Sequence, residues 1–131
     1  MRVIDLLILF FWTIFLSNVT LLFSFFVPDY LFLGYVFWIV AGVLAGTLIV
    51  DIKKIILLSV TSYVISAILM FVILSLPVFL GTLSYQILSD IVYSQNLKLV
   101  FSFTFPHMLL INIVSGVVGG YIGETLSASH P

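Results

Sequence analysis

The ionisable side chains are the first candidates for chemistry, and they are few and scattered. The carboxylates are Asp5, Asp29, Asp51, Asp90 and Glu124, and the histidines are His107 and His130. Catalysis or metal binding requires several such groups to converge on one point. No HxxxH or ExxH spacing occurs and cysteine is absent. The sequence therefore predicts no catalytic residue, no metal ligand and no cofactor-binding residue.

The predicted arrangement of the membrane-spanning segments keeps these groups apart. It places His107 and His130 on opposite sides of a membrane, so they cannot share a metal ion. Glu124 lies about 25 Å from His107 if the helix that joins them is continuous. A serine–histidine–carboxylate set therefore cannot be assembled from them.

Polar side chains that do not ionise form the second group of candidates. Asn18 and Asn112 are the deepest strongly polar residues in the apolar segments, and Ser17 and Ser62 belong to hydroxyl stripes in the first and third segments. In hydrocarbon such groups hydrogen-bond between helices. We interpret them as residues that join helices, and contact with a substrate is the alternative.

Glycine is concentrated in the segment 112–124, which reads NIVSGVVGGYIGE and holds four of the eight glycines. At about 100° per residue, its small residues form two adjacent ridges on one side of a helix. Small residues let helix backbones approach closely in lipid, where burying leucine against leucine drives little association. We predict a helix-packing seam, with a groove for a lipid, quinone or substrate as the alternative. The predicted packing residues are Gly42, Gly46, Ser115, Gly116, Gly119, Gly120 and Gly123.

Composition decides the surroundings in which these residues lie. The 131-residue chain is 63% hydrophobic and only 7% charged, whereas soluble domains carry about 25% charged residues. A small fold buries only part of its surface, so this chain would expose too much apolar area in water. We predict an integral membrane protein in contact with the lipid bilayer. The net charge of −1 gives no reason to expect nucleic acid as a partner.

Four apolar segments have the roughly 20 residues that a membrane-spanning helix needs. They run over about 3–27, 30–50, 55–76 and 106–126, and we expect one domain, 1–131. Arg2, Lys53 and Lys54 fall on one side of this arrangement and Lys98 on the other. Because cytoplasmic loops are rich in Lys and Arg, we predict a multi-pass protein of the cell membrane with both termini in the cytoplasm.

The cytoplasmic end of the fourth helix raises an electrostatic question. Glu124 ends the glycine-rich stretch, and a carboxylate at a helix C-terminus is disfavoured by the helix dipole. Lys53 and Lys54 lie on the same predicted side. We therefore expect a contact between Glu124 and a lysine, in this chain or in a partner.

The long connection between helices three and four, 78–104, has two parts. The first part places Thr82 and Leu83 on opposite sides of an amphipathic helix, which suits a helix lying in the membrane interface. In 97–105, Leu97, Phe103 and other apolar residues alternate with polar ones, and this period of two predicts an extended run. The alternative is that helix four begins near Leu97.

These features favour a small non-catalytic membrane protein that is an accessory or structural subunit of a larger membrane complex, such as a respiratory, transport or translocation complex. Other membrane subunits or copies of itself are the expected partners. The alternative is a homo-oligomeric channel or small-solute transporter, whose path would be lined by the hydroxyl stripes of helices one and three.

Overall fold

The computed structural model describes residues 2–81 and 86–129, apart from the side chain of Phe103. Some of the sequence predictions rest on Thr82, Leu83, His130 and the side chain of Phe103, and these lie outside the described residues. The described part is helical and contains no strand. Its helices are α1 (Val3–Leu21), α2 (Leu31–Ile49), α3 (Ile52–Leu74), α4 (Leu76–Phe79), α5 (Gln86–Thr104) and α6 (His107–Ala128).

Four helical segments are long and apolar enough to cross a membrane, as predicted. They are Val3–Phe26, Pro28–Ile49, Ile52–Leu74 and His107–Ala128. The first extends α1 by a π-helical turn over Leu22–Phe26, and the second adds a 3₁₀ turn over Pro28–Tyr30 to α2. Such a set of helices suggests a membrane protein, because each can satisfy its backbone hydrogen bonds internally in lipid.

The extended run predicted for 97–105 is wrong, because residues up to Thr104 form the second half of α5. The alternative is wrong as well, since the turn at Phe105 and Pro106 separates α5 from α6. The buried face of α5 is formed by residues four positions apart, Asn96, Val100 and Thr104. The apolar alternation arose because the outward face of α5 is also partly apolar, which makes a helical pattern resemble period two.

Short connections fix the order of the helices. Only Val50 and Asp51 separate α2 from α3, so these two helices are antiparallel. Val50 takes up the turn with a φ of 67°, in the left-handed region that branched side chains rarely adopt. Asp51 then caps α3, because its Oδ1 accepts a hydrogen bond from the backbone N–H of Lys53 at 3.0 Å.

The core lies where α1, α2, α3 and α6 meet. It is filled by two tryptophans, from α1 and α2, by aliphatic residues, and by two methionines, from α3 and α6. The buried apolar side chains include Trp12, Leu16, Trp38, Ile55, Leu58, Met70 and Met108. The outward faces of the four long helices carry large exposed apolar side chains along their length, as expected for helices surrounded by lipid.

Candidate functional site

The glycine-rich ridge of α6 packs on the chain's own second helix. A carbon atom added at Gly46 would collide with the backbone of α6, at 2.8 Å from Gly120 N. One added at Gly123 would lie 2.6 Å from the carbonyl oxygen of Thr47. Since real Cβ atoms are not found so close to backbone atoms, this contact exists only because these positions lack side chains.

The pairing of positions shows that α2 and α6 run in the same direction. Gly42 meets Ser115 and Gly116, and Gly46, one turn further along α2, meets Gly116 and Gly120, one turn further along α6. We call this contact the glycine seam. It comprises Gly42, Gly46, Ser115, Gly116, Gly119, Gly120 and Gly123.

The two ridges of α6 serve different neighbours. At Gly119 an added carbon would lie 2.8 Å from the Val43 Cα and closer still to the Val43 carbonyl oxygen, so this ridge faces α2. At Gly116 it would lie 2.9 Å from Ile55 Cγ2 and 3.0 Å from Ser59 Oγ, so the other ridge faces α3. One helix therefore holds two others at close range.

A group of polar side chains is enclosed beside the seam, between α1, α3 and α6. We call this group the polar cluster. Its members are almost completely buried and are Thr13, Ser59, Ser62, Ser66 and Asn112.

Asn112 is the centre of the polar cluster. Its Nδ2 donates to the backbone oxygen of Ser59 and to Ser62 Oγ, both at 2.9 Å. Ser66 Oγ donates to the backbone oxygen of Thr13 at 3.2 Å, so α3 is also joined to α1. Four polar atoms of this region have no hydrogen-bond partner among the described residues: Trp12 Nε1, Thr13 Oγ1, Ser59 Oγ and Asn112 Oδ1.

Ser17 and Asn18, which the sequence analysis treated like Asn112, make local contacts instead. Ser17 is buried, but its Oγ donates to the backbone oxygen of Thr13 at 3.0 Å, within α1. Asn18 is exposed and its Nδ2 donates to the backbone oxygen of Ile14 at 2.7 Å. It lines an apolar groove of about 540 Å³ between α1 and α2, together with Leu44 and other residues.

Sequence reasoning missed three contacts between helices. Trp38 Nε1 donates to Thr20 Oγ1 at 3.1 Å and joins α2 to α1. Asn96 Nδ2 donates to Ser75 Oγ at 3.1 Å and fastens α5 to the end of α3. Their only signal in the sequence is a polar residue on an otherwise apolar helix, which does not identify the partner.

The third contact is an ion pair. The Asp5 side chain is only 1% exposed, and its Oδ2 lies 3.5 Å from Lys54 Nζ. The same oxygen accepts a hydrogen bond from the backbone N–H of Arg2 at 3.0 Å. A buried carboxylate is stable only when it is paired and hydrogen-bonded, and these contacts fasten α1 to the start of α3.

Lys54 thus binds Asp5, whereas Lys53 and Glu124 are exposed. Among the described residues, Glu124 makes no ion pair with a lysine. The expected contact of Glu124 with a lysine is therefore not present inside the described chain, and a contact with a partner stays a prediction. In the described residues, no three side chains of His, Asp or Glu are grouped so that they could hold a metal ion.

Comparison with protein-family models, curated proteins and solved structures finds no match to this chain. The function therefore has to be argued from the geometry of the seam and the polar cluster.

The two adjacent glycines Gly119 and Gly120 give a matched test of the seam. Gly119→Ala should lower the stability by about 1–3 kcal/mol, the usual range for overpacking, because the new methyl group meets the backbone of Val43. Gly120→Ala should cost less, because the atom it meets is the terminal Cδ1 of Ile55, which can move. Thermal unfolding in detergent, followed by the fluorescence of the buried Trp12 and Trp38, measures both.

Ile55→Val removes that Cδ1 and supplies the control. In the Ile55→Val background, Gly120→Ala should lower the stability by less than it does in the natural chain. The loss of stability caused by Gly119→Ala should be the same in both backgrounds. Equal losses for the two alanine variants would contradict the proposed geometry of the seam.

Asn112 in α6, which is buried, and Asn18 in α1, which is exposed, give a second matched pair. Asn112→Ala should lower the stability by about 1 kcal/mol, because it removes two hydrogen bonds to α3 in a region where interhelical bonds contribute amounts of this size. Asn18→Ala should change little, because Asn18 binds only its own helix. The same fluorescence-detected unfolding compares them, and a larger loss for Asn18→Ala would refute the assignment of Asn112 as the joining residue.

Proposed function

We propose that this chain is a non-catalytic structural or accessory subunit of a larger membrane complex in the cell membrane. The observation that carries the proposal is the bonding of Asn112. The Asn112 side chain is completely buried and uses both its N–H donors to join α6 to α3. A structural subunit requires polar groups of this kind, which join one helix to another.

The connections and the seam support the same role. A transporter that alternates between two open states needs bundles of helices that rock against each other. Here α2 is fixed to α3 by a two-residue turn, and it contacts the backbone of α6 directly at Val43 and Thr47. A bundle joined in this way suits a rigid element that other subunits pack against.

The second candidate is a channel for a small solute, built from several copies of the chain. The hydroxyl stripes of α1 and α3 face each other at Thr13 and Ser66. Nearby, Ser59 Oγ, Thr13 Oγ1 and Asn112 Oδ1 have no hydrogen-bond partner among the described residues. These atoms are free to bind a small polar solute, and this observation favours the channel as the second candidate.

Purification from native membranes separates the two candidates. A tagged chain extracted in mild detergent should bring down defined larger membrane proteins in fixed stoichiometry, and extraction of untagged membranes is the control. The pure chain in liposomes should give no flux of glycerol, urea or potassium ions above that of empty liposomes. A flux from the pure chain, reduced by Asn112→Ala, together with the absence of larger partners, would favour the channel.

The proposed orientation, with both termini in the cytoplasm, can be tested because the chain has no cysteine. Ser102→Cys, exposed in α5, should react with a membrane-impermeant maleimide in intact cells. Ser129→Cys, after α6, should react only once the membrane is permeabilised. The orientation is argued from the basic residues, since Arg2, Lys53 and Lys54 lie on one side and Lys98 on the other. The reverse labelling pattern would show that both termini lie outside the cell.

A further inference from the structure

The outward side of α5 differs from the outward sides of the four long helices. It carries a carboxylate and an ammonium group in addition to large apolar residues, and α5 is not one of the helices that are apolar enough to span a membrane. We call this side the α5 outer face. It comprises Ile87, Asp90, Ser94, Lys98 and Phe101, all exposed.

These five residues form one ridge on α5, within an arc of about 80°. Ile87, Ser94 and Phe101 recur at steps of seven, and an α-helix drifts by only about 20° over seven residues. Asp90 and Lys98 are each four residues from Ser94, one before it and one after it. At about 100° per residue they lie about 40° to either side of it.

The charges on this face have no partner inside the described chain. The ion pairs there join Asp5 to Arg2 and to Lys54, and neither Asp90 nor Lys98 takes part in them. Ile87 is 75% exposed and Phe101 57% exposed, so the apolar ends of the ridge are also uncovered. The whole face is available to a partner.

The order of the residues makes the face complementary to itself. Ser94 is midway between Asp90 and Lys98, and also midway between Ile87 and Phe101. A two-fold rotation about an axis through Ser94 therefore places Asp90 opposite Lys98 of a second copy and Ile87 opposite its Phe101. This is the isologous arrangement typical of symmetric dimers, and the small serine lets the two helices approach at the crossing point.

We propose that the α5 outer face binds the same face of a second copy of this chain, with the two α5 helices antiparallel. In a parallel pair Asp90 would face Asp90 and Lys98 would face Lys98, and like charges opposite each other oppose association. The proposal goes beyond the structural function proposed above, because it concerns how two copies pair and not what they assemble with.

Both copies can be inserted in the membrane in the same direction when the two-fold axis is perpendicular to the bilayer. Helices related by such an axis are antiparallel when they lie along the membrane surface. Asn96 and Tyr93 hold α5 at the end of α3, through Ser75 at 3.1 Å and through ring contacts with Phe71 and Phe79. The contact is therefore expected at the membrane surface, outside the hydrocarbon core.

Cysteine crosslinking of the full chain in liposomes tests the pairing. Ser94→Cys should form a disulfide-linked dimer with a mild oxidant, because the symmetry axis brings the two cysteines to each other, within the Cα separation of about 4.4–6.8 Å that a disulfide needs. Ser102→Cys is the matched control on the same helix. In the antiparallel pair its two copies are about 24 Å apart along the helices, so it should remain monomeric.

Charge reversal tests the register. In the Ser94→Cys background, Asp90→Lys alone or Lys98→Asp alone should lower the yield of crosslinked dimer by about ten-fold, because each converts both symmetry-related ion pairs into like-charge pairs. The double reversal Asp90→Lys with Lys98→Asp should restore the yield, and it also shows that the single variants are not simply misfolded. Circular dichroism of each variant checks that the helical content is kept.

Three results would overturn the proposal. They are a Ser94→Cys protein that stays monomeric, a Ser102→Cys protein that crosslinks better than Ser94→Cys, and a double reversal that crosslinks no better than the single ones. The first would also be the result if α5 bound a different protein. None of them bears on the subunit proposal, which depends on copurification and on flux.

Discussion

The close parallel contact of α2 and α6 is the constraint on which the rest of the bundle depends. In water, glycine in a helix costs roughly 1 kcal/mol relative to alanine. Surrounded by lipid, the absence of a side chain allows direct backbone contact, and the dispersion gained there is one of the few forces that favour helix association. A Cβ at Gly46, Gly119 or Gly123 would meet backbone atoms, and backbone cannot move aside as a side chain can.

The polar cluster follows from this contact. Because the second ridge of α6 also lacks side chains, Ile55 and Ser59 of α3 can lie directly on Gly116. At that separation Asn112, one turn away on α6, reaches both the backbone of Ser59 and the hydroxyl of Ser62. The glycines set the distance between the helices, and the asparagine fixes their register. Neither would be effective alone, since a hydrogen bond of this kind requires a defined approach of two helices.

The sequence was sufficient for what depends on composition and spacing along a single helix. The number of apolar helices, their approximate ends and the small-residue ridges of α6 all follow from local patterns. The partner of each ridge did not follow, because two helices with small faces can pack together within one chain or between chains. Asp5 shows the same limit, since its sequence neighbour Arg2 was evident but its contact with Lys54, on another helix, requires the fold.

The error at 97–105 has a different cause. Alternation of apolar and polar residues identifies a strand only where one face meets water and the other meets a core. In α5 the buried row of Asn96, Val100 and Thr104 contains two polar residues, whereas the outward side contains Leu97 and Phe101. The buried face of α5 is thus partly polar and its outward face partly apolar, the reverse of a soluble helix. A search for apolar residues that repeat every 3.6 positions therefore does not detect this helix.

The same reasoning decides which surface residues carry information about partners. Exposed leucine and phenylalanine need no protein partner in lipid, because the solvent around them is equally apolar. Exposed charges are informative there, since each has to be hydrated or paired. The glycine faces, which the sequence offered as the natural place for a partner, are already occupied within the chain. The proposed pairing of two copies therefore uses other groups, Asp90 and Lys98, which are charged and exposed.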